Sequence, residues 1–506
     1  MSEAPTSRYR FGPLERRGFL AGWRGGQAAI VAAGLIVAVG ALRLLPTIAA
    51  LLVAVVAVGI SLAAATWPIA GRTGDEWVPD VARHAVTVVQ GRTWRAPRKP
   101  TAGRAVSGSE SGRPPRGGPF SSLRILQVEA GRDEASVRVF NPITGRPRAP
   151  GAMAAVVYDP AQRTYTAVVP ASGPGFVLLG GAERDRRVSG WAAALGALAR
   201  QGTPVHRIQW VARTLPGSGG SSSDATGAPS DVGPDRARAS YDQLLAEVRP
   251  HVGRHQVLLA MSVKAQRAGL ALRPPGAHEH ATSCAVLLRE LAAFRRRVSD
   301  ADVDTAPALA PRALASVIRA GYSSSRWAWP EECGTTWPWP VAGDVLWEVV
   351  RMDGTWHATY WVAEWPRTDV GADFLGPLLL SGDVRQSVSV TMEPLSPSEA
   401  VRQATQARTA DLADAELRRR GGFLHTARRR REEETVADRE VELADGHAPF
   451  RFSGYVTVSS DNREELEASC GRIEQSAGRC GMELRRCFGD QQRAFTFTLP
   501  LCRGLD

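Results

Sequence analysis

The chain has 506 residues, 44% of them apolar, with a formal charge of +11 and a pI near 9.9. That apolar share excludes a wholly disordered protein, and the length allows two or three domains with cores of their own. Lysine occurs only at Lys99 and Lys264, so arginine carries nearly all the positive charge, and codon bias together with membrane-proximal charge explains the excess better than nucleic-acid binding does.

Residues 1–26 form a basic N-terminus. From Gln27 to Thr66 the chain is almost unbroken hydrocarbon, interrupted by Arg43 and Pro46 into the runs Gln27–Leu42 and Leu44–Thr66. A bilayer core about 30 Å thick needs roughly 20 helical residues. One continuous helix would carry Pro46 in its interior and Arg43 in hydrocarbon, the latter at about 2.5–3.5 kcal/mol. A transmembrane hairpin over 27–66, turning at Arg43 and Pro46, avoids both. Arg8, Arg10, Arg16, Arg17 and Arg24 precede it, and Arg72, Arg83, Arg92, Arg95, Arg98 and Lys99 follow. Basic flanks stay inside, so a multi-pass plasma-membrane protein with both termini cytoplasmic and the lipid bilayer as partner is expected. A signal peptide fits less well, since two apolar runs occur without a small-residue cleavage site.

Residues 67–119 read as a juxtamembrane segment ending in the Gly-, Ser- and Arg-rich linker Thr101–Pro119. An α/β domain is expected over 120–214. Its strands are Ala154–Tyr158, Thr164–Val169, Phe176–Leu179 and Val205–Arg213, with a helix over Glu183–Gln201. Residues 215–234 are low-complexity and read as disordered. A second α/β domain is expected over 235–395. It has helices at Ala237–Val248, Cys284–Arg297 and Pro311–Ala320, and strands at Gln256–Val263, His357–Glu364 and Val384–Met392. It also carries a tryptophan-rich insertion.

Residues 396–445 predict a charged helical hairpin that breaks at Gly421-Gly422. Residues 446–506 predict a βαβ-like unit: Phe452–Val458, a helix over Arg463–Gly478, Met482–Phe488 and a closing strand Phe495–Leu499. The fold class is therefore α+β, made of α/β-like units, on a transmembrane hairpin.

Chemistry-bearing motifs are sparse. A P-loop needs GxxxxGK[ST], but Lys99 lies in APRKPT and Lys264 in SVKAQ, which excludes a P-loop ATPase. HExxH, GxSxG and EF-hand patterns are missing too. His278-Glu279-His280 with Cys284 is the nearest approach to a metal cluster, and its setting after Pro274-Pro275 reads as a loop surface. The pairs Asp369/Asp373 and Asp411/Asp414 have spacings common on helix surfaces. The cysteines Cys284, Cys333, Cys470, Cys480, Cys487 and Cys502 lack paired metal-site spacing and read as buried thiols. No catalytic, cofactor or metal residue is assigned. Trp327, Trp329, Trp337 and Trp339 form a candidate interaction surface, although such rings more often anchor loops to a core. Arg428, Arg429, Arg430 and Arg431 form another, although Glu432–Glu434 beside them suits a self-paired solvated face.

Several segments carry a resemblance: Arg10-Phe11-Gly12-Pro13-Leu14-Glu15-Arg16-Arg17-Gly18, Gly22-Trp23-Arg24-Gly25-Gly26-Gln27, Trp191 through Leu198, and Val205-His206-Arg207-Ile208-Gln209-Trp210. In these the chain resembles actinobacterial two-span membrane proteins encoded beside conjugation-type ATPases and PrgI-family proteins. Its end is Ser459-Ser460-Asp461, Glu464-Glu465-Leu466-Glu467, Gly489, Gln491-Gln492, Phe495 and Leu499-Pro500-Leu501. That end resembles the non-motor N-terminal half of a VirB-family ATPase, fused here to a hairpin and lacking the motor. The resemblance implies a non-enzymatic inner-membrane subunit of a conjugation or type IV-like secretion apparatus. It would dock a separately encoded P-loop ATPase and other channel subunits. The alternatives are an EccE-like subunit of an ESX (type VII) system and a membrane-anchored enzyme.

Overall fold

In the computed structural model, the described residues are 9, 11, 25–44, 48–67, 73–90, 93–95, 118–130, 137–140, 153–173, 179–215, 254–265, 277–323, 338–381, 383–406, 408–409 and 448–505. The apolar stretch forms two helices, α1 (Gly25–Leu44) and α2 (Ile48–Thr66), each long and apolar enough to cross a membrane. A third helix, α3 (Gly74–Gln90), leads towards the body. The body begins with strands β1 (Thr93–Arg95), β2 (Arg124–Ala130), β3 (Val137–Phe140), β4 (Met153–Asp159) and β5 (Thr164–Ser172). Then come α4 (Gly181–Gly196), β6 (Val205–Leu215), β7 (Arg254–Lys264), α5 (Ala277–Ser299), β8 (Asp304–Thr305) and α6 (Pro311–Tyr322). The remainder is β9 (Ala342–Val345), β10 (Val350–Met352), β11 (Thr355–Glu364), α7 (Gly376–Leu379), β12 (Gln386–Pro394), β13 (Phe450–Ser460), α8 (Arg463–Arg479), β14 (Glu483–Arg486) and α9 (Gln491–Phe495).

Every registered strand pair is antiparallel, and the described strands form one sheet in the order β1-β9-β10-β11-β13-β12-β6-β7-β5-β4-β2-β3. Strand β8 lies beside β5 and β14 beside β11. The α+β class holds. Strand, helix, strand over 153–213 does not give neighbouring parallel strands, because β7 inserts between β5 and β6 and runs antiparallel to both.

The order contains the same unit twice. The run β5-α4-β6-β7-α5-β8 gives strand order β8-β5-β7-β6, and β11-α7-β12-β13-α8-β14 gives β14-β11-β13-β12. Each is the split βαβ arrangement of ferredoxin-like folds. Each is also preceded by a hairpin, β4-β5 or β10-β11, whose first strand shares an edge with the unit's last strand. The second hairpin turns at Asp353-Gly354, where φ is +46° and +100°, the backbone that a two-residue primed turn requires. Strands β6 and β12 pair antiparallel over seven residue pairs, Ile208–Thr214 with Gln386–Met392, so an approximate two-fold relates the units. The copies differ in their first helix: α4 has 16 residues and α7 only four.

This pairing puts the units' helices on one face of the sheet. Ile208, Leu259, Met261 and Val263 pack under Ala194, Leu198, Leu287, Leu291 and Phe294 of and after α4 and of α5. Ala358, Tyr360, Val388, Val456 and Val458 pack under Leu378 of α7 and Leu466, Cys470, Ile473 and Ala477 of α8. The back face carries Val168, Val211, Leu258 and Ala260 and is covered by Leu314, Ile318 and Tyr322 of α6 and by Phe495, Leu499 and Leu501.

Three local expectations change. The segment 495–499 is not a strand: it continues α9 through a 3-10 turn (Thr496–Thr498) and lies flat on the back face. The helix expected from Cys284 starts at Ala277, so His280 is on a helix and not a loop, its Nδ1 2.8 Å from the Tyr165 hydroxyl. The βαβ-like C-terminal unit is a split one, with β11 between β13 and β14. The helix expected at 237–248 and both linkers, but for 118–119 and Leu215, lie outside the described residues, as does most of the 396–445 hairpin, of which 397–406 and 408–409 are helical. The strand expected at 176–179 lies outside them too, save Leu179.

Phe294 is fully buried and meets Trp191 edge-on at 6.0 Å. Phe294→Ala is expected to lower unfolding free energy by about 3–5 kcal/mol, whereas Leu380→Ala, at a 58% exposed residue, should change it by less than about 0.5 kcal/mol. Denaturant titration of the full chain in detergent measures both, and equal effects would refute this packing.

Candidate functional site

The helices α1 and α2 are built inside out relative to a soluble helical pair. The side of α2 that is buried consists of Ala50, Ala54, Ser61 and Ala65, at helical spacing, while Ile48, Leu51, Leu52, Val55, Val56 and Ile60 are exposed. Gly34 approaches Ser61 so closely that a Cβ at Gly34 would sit 2.2 Å from the Ser61 Oγ. Small residues inward and large apolar ones outward is the packing of helices whose solvent is lipid. At the opposite end from the turn, Gln27 Nε2 donates to the Ala65 carbonyl at 2.8 Å. Arg43 lies in the last turn of α1, exposed, and Pro46 lies outside the described residues.

Both sequence flanks of this pair are tied to the body. Tyr9 bridges Val370 through two backbone hydrogen bonds, and Phe11 packs against Trp365, Phe374 and Phe452. On the other flank, Trp77 of α3 stacks on Trp347 at 5.9 Å, with Phe488 beside it and His84 edge-on to Trp347 at 5.0 Å. These two aromatic clusters had no signal in the sequence beyond an abundance of rings.

The expected interaction surfaces fare differently. Trp339 is fully buried and stacks on Phe120 at 5.4 Å, so it anchors a loop to the core and is not a surface ring. Trp327, Trp329, Trp337 and Arg428–Arg431 lie outside the described residues. Cys284, Cys470, Cys480 and Cys502 are buried, and burial pushes the Cys284 and Cys502 thiols up to about 12, which keeps them unreactive. Among the described residues no group of three or more His, Cys, Asp or Glu side chains is placed to hold a metal ion.

The densest polar chemistry is on the back face of the β6·β12 seam. Residues Arg207, Gln209, Arg213, Ser389, Thr391 and Thr457 are buried there, and the segment 495–505 lies across them. Gln209 donates Nε2 to the Phe497 carbonyl at 2.7 Å and accepts the Cys502 amide at 2.8 Å. Ser389 donates to the same Phe497 carbonyl, Thr391 to the Arg503 carbonyl and Tyr455 to the Gly504 carbonyl. Gln491 accepts the Thr359 amide at 2.8 Å and donates to its carbonyl. Glu393 gathers Arg207, Arg451 and His206 at its two oxygens. Burial opposes its ionisation, but these partners outweigh that and hold its carboxyl below the usual range.

Beside this, Arg213, fully buried, and Arg385, partly exposed, lie at the C-terminal end of α6. Arg213 donates to the Val317 carbonyl, and Arg385 to the Ala320 and Ser323 carbonyls. Unpaired carbonyls at a helix C-terminus carry partial negative charge, which favours cations there. Burial still holds the guanidinium of Arg213 down to about 9. His357, fully buried, pairs Nδ1 with Ser459 Oγ at 2.8 Å, and burial, aided by Arg385, pushes it down to about 3. These groups bond mainly to backbone and to each other, so the seam works as internal adhesive, with Nε and Nη2 of Arg213 left buried without a hydrogen-bond partner. On the helical face a cleft of about 480 Å³ opens between α7 and α8, lined by Leu380, Asp383, Arg472 and Arg479 among others. No protein-family model matches the sequence, and no curated protein matches it either.

Gln209→Leu leaves the Cys502 amide without its acceptor, which should cost about 1–3 kcal/mol and speed amide exchange at Cys502 and its neighbours. Unchanged exchange there, read by mass spectrometry, would remove the seam's role. Because His357 is neutral when folded but titrates near 6.5 when unfolded, the unfolded state binds the extra proton between those values. Its stabilisation is therefore present above about pH 6.5 and is lost as pH falls towards 3. His357→Asn should flatten stability against pH in that window, and an unaltered slope in pH-resolved denaturation would count against it.

Proposed function

We propose that this chain is a non-enzymatic inner-membrane subunit of a conjugation or type IV-like secretion apparatus, docking a separately encoded P-loop ATPase beside the channel subunits. The observation that carries the reading is mechanical. Two helices with lipid-suited exteriors are tied on both sequence flanks, at Phe11 and at Trp77, to one wide antiparallel body. A pair anchored on both flanks by the same body has both flanks on the body's side of the membrane. This suits cytoplasmic termini in the plasma membrane, as do the arginines around the hairpin.

The buried charges of the body also support a scaffold. Arg207, Arg385 and Glu393 hold chain to chain, and Arg213 does so through one of its nitrogens. What the body offers outward is extent: among the described residues the sheet path runs six strands to either side of the seam, with a helical layer and a cleft on one face.

Affinity capture of the full chain from native membranes after mild cross-linking tests the proposal. A ring-forming P-loop ATPase or a channel subunit should co-purify at a reproducible ratio. Recovery of an ESX-class ATPase would transfer the reading to the type VII assembly, and recovery of neither would end it.

A further inference from the structure

Helix α3 is amphipathic in a way its protein contacts do not use up. Trp77, Asp80 and His84 face the body, where they meet Trp347, Phe488 and the loop at Gly489. Val78, Ala82, Ala85 and Val89, at spacings of four, three and four residues, form an apolar stripe on the adjoining side, flanked by Val81 and Val86, and all are exposed. Val89 is 87% exposed. Arg83, half-exposed and paired with Asp80, lies on the remaining polar arc with Thr87. A helix of 17 residues, about 25 Å long, thus presents three arcs: protein, apolar and polar.

Its place in the chain says what covers the apolar arc. Only residues 67–73 separate α2 from α3. The first turn of α3 packs on the matching ends of both apolar helices: a Cβ on Gly74 would lie 2.6 Å from the Ala64 carbonyl oxygen, and one on Gly26 2.7 Å from the Asp75 Cβ. Those ends, joined by Gln27 and Ala65, mark where hydrocarbon gives way to headgroups. The sequence beyond α3 continues with Arg92, Arg95, Arg98 and Lys99, charges that anionic headgroups attract.

We infer that α3 is a surface-lying lipid-binding helix, with its Val78–Val89 stripe sunk into the boundary between headgroups and acyl chains and its opposite side clamped by the body's aromatic cluster. The inference rests on the proposed membrane insertion of α1 and α2, and it adds that the bilayer surface sets the orientation of the body. A short valine stripe beside a polar arc has the character of interfacial helices that bind without spanning.

The test places one added cysteine at a time in the full chain, reconstituted in anionic vesicles at less than one copy per vesicle. Val89→Cys and Arg83→Cys are each reacted with a charged maleimide, and modification at that residue is read by peptide mass spectrometry. Exposure to water alone makes residue 89 the faster of the two, since Val89 is 87% exposed and the Arg83 side chain 48%. Burial in lipid reverses the order, with residue 89 slower by about tenfold or more. Residue 89 reacting as fast as residue 83 in a chain that floats with the vesicles overturns the inference alone. A chain that does not float overturns the membrane reading with it. Protection that appears only at higher copy number would mean that a second copy covers the stripe, and this also overturns the inference.

Discussion

The pairing of β6 with β12 is the constraint from which most of the body follows. It joins two split βαβ units edge to edge through seven residue pairs, and by its register sends Ile208, Val388 and Trp210 to the helical face and Arg207, Gln209, Ser389 and Thr391 to the other. A row of polar side chains buried at the middle of a sheet is costly unless every donor finds an acceptor. Strands alone cannot supply all of those acceptors, because their carbonyls already serve the ladder, although that of Thr359 also accepts from Gln491. The segment 495–505 can, because it crosses the seam without joining the sheet and turns its carbonyls towards Gln209, Ser389, Thr391 and Tyr455. The alternating apolar residues Phe495, Leu499 and Leu501 then fill the spaces between.

Much of this sheet was legible in the sequence, strand by strand. Runs such as Ala154–Tyr158, Gln256–Val263 and His357–Glu364 announce themselves through β-branched and aromatic residues, and the observed strands contain them. Their arrangement was not legible. A strand, a helix and a strand look the same whether the partner strand is the next one or arrives later, as β7 does. The duplication was hidden by the contrast between α4 and the single turn of α7. Phe495–Leu499 alternates apolar and hydroxyl residues like a strand, yet all five are buried in a helical and 3-10 turn whose Phe497 carbonyl is held by Gln209 and Ser389. Trp339 stood among tryptophans that suit a binding face, and only packing on Phe120 reveals it as a core ring. The hairpin helices, by contrast, were plain from hydrocarbon length, whereas the exposed stripe of α3 becomes visible only once Trp77 and His84 are seen to face the body.

The arginine-rich composition also takes on a different meaning inside the fold. Arginine keeps its charge when desolvated and offers a planar fork of donors, so it can serve carbonyls where lysine would lose its proton. Arg207, Arg213 and Arg385 do this, reaching the carbonyls of Cys502 and Leu505, Val317, and Ala320 and Ser323. A strongly basic chain therefore need not present its charge to a polyanion. Part of it acts as fixed cross-linking between segments distant in sequence.

The two aromatic clusters that tie the N-terminal helices to the body share one property: Trp347, Trp365, Phe374, Phe452 and Phe488 all belong to the second unit or its flanks. Among the described residues, the first unit is held to that anchored half by the β6·β12 ladder, by the back-face cover and, on the helical face, by Arg184 on Asp373 and the Thr214 hydroxyl on the Leu379 carbonyl. It extends six strands outward, about 25–30 Å at the usual strand spacing. The body is thus a cantilever. A pull along the strand direction at the outer strands reaches the anchor as shear along seven paired residues, the geometry in which a ladder's hydrogen bonds resist together and do not open one at a time.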